Sequence, residues 1–111
     1  MYTVVETENF TDWLYGIRDR STRQRLVARI RKASLGNLGD VKSIGSNVWE
    51  MREFFGSGWR MYYLHQGETI ILMLGGGNKS TQKKDISEAQ AIAKELNRRK
   101  KLSHLSLFFY L

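Results

Sequence analysis

The sequence predicts an α+β domain whose elements follow the order β-α-α-β-β-β-β-α. Apolar residues recur at helical spacing in two segments near the N-terminus and in one near the C-terminus, while the middle of the chain alternates with a period of two. Tight turns separate the middle strands, so they are expected to pair antiparallel. We therefore predict a mostly antiparallel twisted sheet with a helical hairpin packed on one face.

The N-terminal third is predicted to hold one strand and two helices. Residues 2–6 are β-branched and aromatic, which suits a strand, and helical spacing then follows at Phe10, Trp13, Leu14 and Ile17. Ser21, with Gln24 three residues later, predicts a capping box that begins the second helix. The inward face of that helix consists of Leu26, Ile30 and Ala33. The pair Gly36-Asn37 predicts its left-handed end.

The middle of the chain is predicted to form four hairpin-linked strands at 41–44, 48–55, 59–64 and 69–74. Their alternation places a polar set on one face: Glu50, Arg52, Arg60 and Tyr62. Large apolar residues fall on the other face, against the helices: Trp49, Met51, Trp59 and Met61. The pattern allows two interpretations of the polar face, a floor for a phosphate-rich substrate or a solvated face with an Arg–Glu cross-strand pair.

A glycine-rich segment joins the last of these strands to the final helix. It reads Gly75-Gly76-Gly77-Asn78-Lys79-Ser80-Thr81-Gln82-Lys83-Lys84-Asp85-Ile86, and helical spacing continues at Ala89, Ala93 and Leu96. Glycine lets the backbone approach a ligand, and the clustered lysines and hydroxyls can bind phosphate oxygens. The spacing of a P-loop is absent, because Asn78 rather than glycine precedes Lys79. The segment therefore predicts anion recognition of another kind.

Composition points to an anionic partner. The chain has 111 residues, enough for one domain, a net charge of +7, and two basic runs at 18–32 and 79–101. The partner could be nucleic acid, an acidic protein or a membrane surface, and two separate basic runs fit a nucleic-acid binder better than a small-molecule enzyme. There is no cysteine and there are two histidines, so we expect neither a metal site nor a cofactor. No segment resembles a signal peptide or a membrane span, and a cytoplasmic location is expected.

Three spaced blocks resemble the signature of HigB/RelE-type toxins, and more narrowly the "addiction module killer protein" group of the RelE/ParE superfamily. They are Glu50-Met51-Arg52, Gly56-Ser57-Gly58-Trp59-Arg60-Met61-Tyr62-Tyr63, and residues 74–86. The resemblance spans residues 2–98. We assign residues 1–99 to the toxin domain and 100–111 to a basic, then apolar, tail outside it. For that tail an extra edge strand, an oligomer contact and no role all stay open.

The resemblance implies the toxin of a bacterial type II toxin–antitoxin system with a RelE-like (microbial RNase-like) fold. The implied activity is translation inhibition by ribosome-dependent cleavage of messenger RNA; the alternatives are a ParE-like inhibitor of DNA gyrase and a non-catalytic nucleic-acid-binding domain. The implied partners are messenger RNA, the ribosome and an antitoxin, expected to be a helix-turn-helix protein from an adjacent gene. Membrane binding is not expected, and operator-DNA binding by the toxin–antitoxin complex stays open.

The resemblance also implies roles for individual residues. Arg60 matches the arginine of the family's G-[YW]-R block, which stabilises charge on the scissile phosphate, and Lys79 and Arg52 match further basic positions. These cations would act without a metal, and Glu50 or a lysine is the candidate proton acceptor. The expected RNA-binding residues are Lys42, Tyr62, Gln82, Lys83 and Lys84. His65 is expected to be structural or exposed. Ile86 stands where RelE has a tyrosine, so the general acid and base stay open.

Overall fold

The computed structural model describes the backbone of residues 1–110 and the side chains of residues 1–100. Its elements are β1 (Thr3–Glu6), α1 (Glu8–Gly16), α2 (Arg20–Ser34), β2 (Val41–Gly45), β3 (Val48–Arg52), β4 (Arg60–Gln66), β5 (Ile70–Gly77), a short 3₁₀ helix (Lys79–Thr81) and α3 (Gln82–Tyr110). The predicted α+β class and element order are confirmed. The 3₁₀ helix is the one addition within the described backbone.

The strands form a single five-stranded sheet in the order β1-β5-β4-β3-β2. Strands β2 to β5 pair antiparallel, and β1 pairs in parallel with β5. The sheet is therefore mixed but mostly antiparallel. The parallel pair arises because α1 and α2 separate β1 from the meander, and such a pair needs a long connection rather than a hairpin.

The helical hairpin of α1 and α2 packs on one face of the sheet, as predicted. Its buried residues contact an apolar layer from three strands, and together these form a core of Phe10, Leu14, Ile17, Leu26, Ala33, Met51, Met61, Tyr63, Ile71 and Met73. Three tryptophans, Trp13, Trp49 and Trp59, pack around this core and are partly buried. The predicted inward positions on both helices are thus confirmed.

The opposite face of the sheet is covered by α3. A second core joins Ala89 and Ala93 of this helix to Val48, Tyr62, Leu72 and Leu74 of the strands. The prediction that the polar face stays open is therefore wrong over much of its area, since Glu50 is 1% exposed and Tyr62 is 0% exposed. The physical reason is that α3 has its own apolar stripe to bury and the α1–α2 hairpin already occupies the other face.

Helix α2 begins earlier than its sequence pattern suggests. Asp19 is the N-cap, and its carboxylate accepts hydrogen bonds from the Thr22 amide (3.2 Å) and the Thr22 hydroxyl (2.6 Å). The predicted capping box at Ser21 is wrong, because Ser21 already lies in the first turn. The predicted left-handed end is confirmed, with φ of 101° at Gly36.

The backbone of α3 continues as a helix to Tyr110. An extra edge strand in the C-terminal tail is therefore wrong. The alternative role of the tail, as an oligomer contact, depends on side chains at 101–111, which lie outside those that the structure describes. Within the described part of the chain, no helix is both long enough and apolar enough to span a bilayer.

Candidate functional site

The polar residues of β3 and β4 lie side by side in the sheet. In the β3–β4 register Glu50 is opposite Tyr62 and Arg52 is opposite Arg60, so all four side chains leave the same face. The first turns of α3 lie over this part of the sheet. The sequence-predicted residues on these two strands are therefore neighbours, as their alternation suggested, but they lie under a helix.

Arg60 and Glu50 form the centre of the site. The Nε atom of Arg60 lies 3.9 Å from Oε2 of Glu50, and the two side chains are 10% and 1% exposed. Gln82, the first residue of α3, donates from Nε2 to the same carboxylate oxygen at 2.9 Å. The buried carboxylate thus links the sheet to the start of α3 and fixes the position of the Gln82 side chain.

The Arg60 guanidinium keeps unused hydrogen-bond donors although it is buried. Its Nε and Nη1 atoms have no hydrogen-bond partner among the described residues, and neither has the hydroxyl of Tyr62. An unsatisfied buried polar group costs about 1–3 kcal/mol, more when it is charged. Glu50 compensates the charge of Arg60 at a distance beyond hydrogen bonding. The guanidinium is therefore suited to donate to the oxygens of an anion such as phosphate.

Tyr62 is buried where it was expected to be accessible. Its side chain is 0% exposed beneath α3, where RNA cannot reach it, so the prediction that Tyr62 binds RNA is wrong. Burial, and next the charge of the Glu50 carboxylate, raise the pKa of Tyr62 well above its ordinary value. Tyr62 therefore stays neutral and contributes a hydroxyl group to the buried polar cluster.

Arg52 lies at the edge of the site, and part of its guanidinium is already bound to another residue. Its Nη2 donates to Oδ1 of Asp40 at 3.1 Å, and its side chain is 32% exposed. Its Cζ atom also lies 5.9 Å from the centre of the Phe54 ring. Sequence reasoning missed Asp40, because this residue lies in a loop before β2, and only the register of β2 against β3 brings it to Arg52.

The three glycines before Lys79 serve packing rather than a ligand-binding turn. They are the last residues of β5, and added side-chain atoms would meet Asn9 at Gly75, the Trp13 ring at Gly76, and Asp85 and Thr81 at Gly77. The prediction that these glycines let the backbone approach a ligand is therefore wrong, because the protein's own side chains occupy the space beside them.

Lys79 lies beyond the sheet, beside the β3–β4 turn. Its amide donates to the Ser57 carbonyl at 3.2 Å, and its side chain is exposed. Asn78 accepts hydrogen bonds from the Ser80 and Thr81 amides, which fixes the 3₁₀ turn that carries Lys79. Lys79 and Arg60 therefore lie toward the same end of the sheet, since Arg60 pairs with Gly77, two residues before Lys79.

The remaining predicted residues divide between the two faces. Lys42 is exposed on β2 directly opposite Glu50, and Lys83 and Lys84 are exposed at the start of α3. Lys84 also pairs with Glu88 at 3.9 Å. Their roles in RNA binding stay predictions. His65 is exposed, as expected, and contacts the rings of Tyr2, Trp49 and Tyr63 on the face opposite Arg60.

Comparisons with known proteins cover most of the chain. Residues 13–97 match the family described as "Phage derived protein Gp49-like (DUF891)". The chain is also similar to an uncharacterized protein of Haemophilus influenzae, with 38% identity over 90 residues, which cover 81% of this chain and 91% of that protein. The matched region includes the whole polar cluster of Glu50, Arg60, Tyr62 and Gln82.

Proposed function

This chain belongs to the Gp49-like family of phage-derived proteins, a family of toxin–antitoxin toxins related to the RelE and HigB type, and we propose that it inhibits translation by cutting messenger RNA on the ribosome. The observation that supports this proposal is the Arg60 guanidinium, which is nine-tenths buried and has donors without partners beside Glu50. A cation held in this way is pre-organised for charge that develops on a phosphate.

The proposed reaction is transesterification within the RNA backbone. The 2′-oxygen attacks the adjacent phosphorus, the bond from phosphorus to the 5′-oxygen breaks, and a cyclic phosphate and a free 5′-hydroxyl result. The 2′-hydroxyl proton goes to an acceptor, and the leaving 5′-oxygen takes a proton from a donor or from water. Arg60 donates to the non-bridging oxygens, where negative charge increases as the new bond forms.

Glu50 is the proposed proton acceptor because it is the carboxylate beside Arg60. Its side chain is 1% exposed, so the proposal requires the start of α3, which Gln82 holds to Glu50 through the 2.9 Å hydrogen bond, to move aside when RNA binds. Lys79 and Arg52 are proposed to bind the flanking phosphates, since both are accessible at the rim and lie toward the Arg60 end of the sheet. Messenger RNA enters in this proposal from the side of the β3–β4 turn. The exposed lysines Lys42, Lys83 and Lys84 are proposed to contact its backbone or ribosomal RNA.

Membership of the family also implies a cognate antitoxin as partner. We propose that this antitoxin is a helix-turn-helix protein encoded in an adjacent gene, and that the complex of the two binds operator DNA. Co-purification from cells that express both reading frames tests the first statement. A gel-shift assay on the upstream DNA, with and without the antitoxin, tests the second.

Primer-extension mapping of messages after induced expression tests the proposed reaction. Four proteins are compared: the wild type, Arg60→Ala, Lys79→Ala, and the control Lys94→Ala. Lys94 is exposed and lies twelve residues after Gln82, about 18 Å along α3. The proposal predicts codon-phased cuts within translated regions for the wild type and the control, and their loss in the other two variants. Growth arrest with intact messages and broken DNA would instead indicate a gyrase inhibitor.

A further inference from the structure

A groove between α1 and α2 lies on the outer side of the helical hairpin, across the sheet from Arg60. It has a volume of about 260 Å³ and is lined by Tyr15, Arg23, Gln24, Val27, Ala28 and Arg31. Pockets for small molecules are usually larger, roughly 300–1,000 Å³. The groove therefore suits one or two side chains of another macromolecule better than a metabolite.

Most of the groove is formed by α2, whose positive charge is not compensated by any carboxylate of the same helix. Helix α2 contains six basic residues and no acidic residue. Among the described residues, its one ion pair joins Arg29 to Glu53 at 2.8 Å, on the side that faces the sheet. Arg31 is exposed, and its side chain forms no hydrogen bond or ion pair with a described residue. The groove is thus electrostatically matched to an acidic partner.

The spacing of the lining residues indicates the shape of that partner. Arg23, Val27 and Arg31 follow each other at four-residue steps, about 6 Å apart along one face of α2. A second helix with carboxylates eight residues apart and an apolar residue midway has the complementary pattern. Tyr15, which is 65% exposed, adds an apolar wall. A phosphate backbone offers nothing apolar for Val27, Ala28 and Tyr15, so the groove favours protein over RNA.

We infer that this groove docks an acidic amphipathic helix of a partner protein. The apolar side chain of that helix packs between Val27 and Tyr15, and its flanking carboxylates bind Arg23 and Arg31. The groove is on the opposite side of the sheet from Arg60, so such a partner leaves the Arg60 site uncovered. The inference does not depend on RNA cleavage, because it rests on the charge and shape of the α1–α2 surface.

Fluorescence anisotropy tests this inference with two labelled probes and the full chain. The first probe is a helical peptide of about 20 residues with Glu, Leu and Glu at successive four-residue steps. The second is single-stranded oligouridylate. Arg31 is the residue to change, because Arg23 also donates to the Ile17 carbonyl at 2.8 Å and thereby supports the α1–α2 connection. Thermal melting of each variant checks that it is folded.

The inference predicts that Arg31→Glu weakens peptide binding roughly tenfold or more, through repulsion of the peptide's carboxylate. Arg31→Gln and Tyr15→Ala are expected to weaken it less, and the matched charge reversal Lys94→Glu on α3 is expected to leave it unchanged. Three results would overturn the inference. The first is that the wild-type protein fails to bind the peptide, and the second is that Arg31→Glu and Lys94→Glu weaken peptide binding equally. The third is that Arg31→Glu weakens the binding of oligouridylate but not that of the peptide.

Discussion

The Nε atom of Arg60 lies 3.9 Å from Oε2 of Glu50, so a buried guanidinium and a buried carboxylate compensate each other's charge without a hydrogen bond between them. The carboxylate oxygen is instead held by Gln82 at 2.9 Å. This arrangement leaves Nε and Nη1 of Arg60 without a hydrogen-bond partner among the described residues while the charge of Arg60 remains balanced. It accounts for how a cation can stay beneath α3 and still be suited to bind phosphate.

Glu50→Gln is expected to destabilise the fold through Arg60. The amide cannot balance the guanidinium charge, so the free energy of unfolding is expected to fall by roughly 2–4 kcal/mol. Urea unfolding measures this change. The same substitution in an Arg60→Gln background is expected to cost much less, because the buried charge is gone. An equal cost in both backgrounds would show that the two residues are not coupled.

Gly77→Ala is expected to disturb the packing of α3 on β5. The added methyl group would collide with the Asp85 carboxylate and the Thr81 hydroxyl, and such overpacking costs about 1–3 kcal/mol. Gly16→Ala is the matched control, because apart from its chain neighbours and its own helix backbone no atom lies within 4 Å of the added carbon. Thermal melts compare the two variants. If both melt alike, the glycine at 77 is not required for packing.

Asp19→Ala is expected to lower the melting temperature at neutral pH through loss of the α2 N-cap. The hydrogen bonds from Thr22 hold the pKa of Asp19 below its ordinary value of 3.8. Its contribution to stability is therefore complete above pH 3.8 and is lost as pH falls through the lowered pKa. The difference in melting temperature between wild type and variant should therefore shrink as the pH is lowered from 3.8 through the lowered pKa of Asp19.

Ser21→Ala is the control for that prediction, because Ser21 is exposed in the first turn of α2 and does not cap it. Its melting temperature should match the wild type at both neutral and acidic pH. A fall in melting temperature as large as that of Asp19→Ala would show that Ser21 also caps the helix.

Arg29→Met is expected to destabilise the contact of α2 with the sheet. The Arg29 guanidinium donates to the carbonyls of Leu38, Asp40 and Arg52 at 2.8, 2.9 and 3.0 Å, and to Glu53 at 2.8 Å. Loss of these bonds should lower the free energy of unfolding by roughly 2–4 kcal/mol in urea titrations. Arg31→Met, an exposed neighbour on the same helix, should change it little. Similar losses for both would contradict this role of Arg29.

Local patterns in the sequence were sufficient to predict the helices and strands and the sheet face that the α1–α2 hairpin covers. The inward positions Leu26 and Ala33 follow from helical spacing, and Glu50, Arg52 and Arg60 share a face because strand residues alternate. Each of these predictions needs only neighbouring residues. The helix start at Asp19 was missed because two capping residues compete within one turn, and hydrogen-bond geometry rather than residue type decides between them.

Long-range packing explains the other differences. The apolar stripe with Ala89 and Ala93 is visible in the sequence, but the face that it covers depends on where α1 and α2 already lie. That choice buries Tyr62 and Glu50. In the same way, the sequence around Gly76 and Gly77 is typical of a ligand-binding turn, but in the fold Trp13 and Asp85 lie against these glycines. The Arg52–Asp40 pair depends on the β2–β3 register, which joins residues twelve positions apart.

The single-turnover rate of messenger RNA cleavage on purified translating ribosomes, measured for Arg60→Lys, tests the central claim most directly. Lysine keeps the positive charge but cannot reproduce the planar donors of the guanidinium. We expect the rate to fall roughly 10²–10³-fold relative to the wild type, with the melting temperature of the folded protein preserved and with Lys94→Ala equal to the wild type. Cleavage by a folded Arg60→Lys variant at the wild-type rate would contradict the claim.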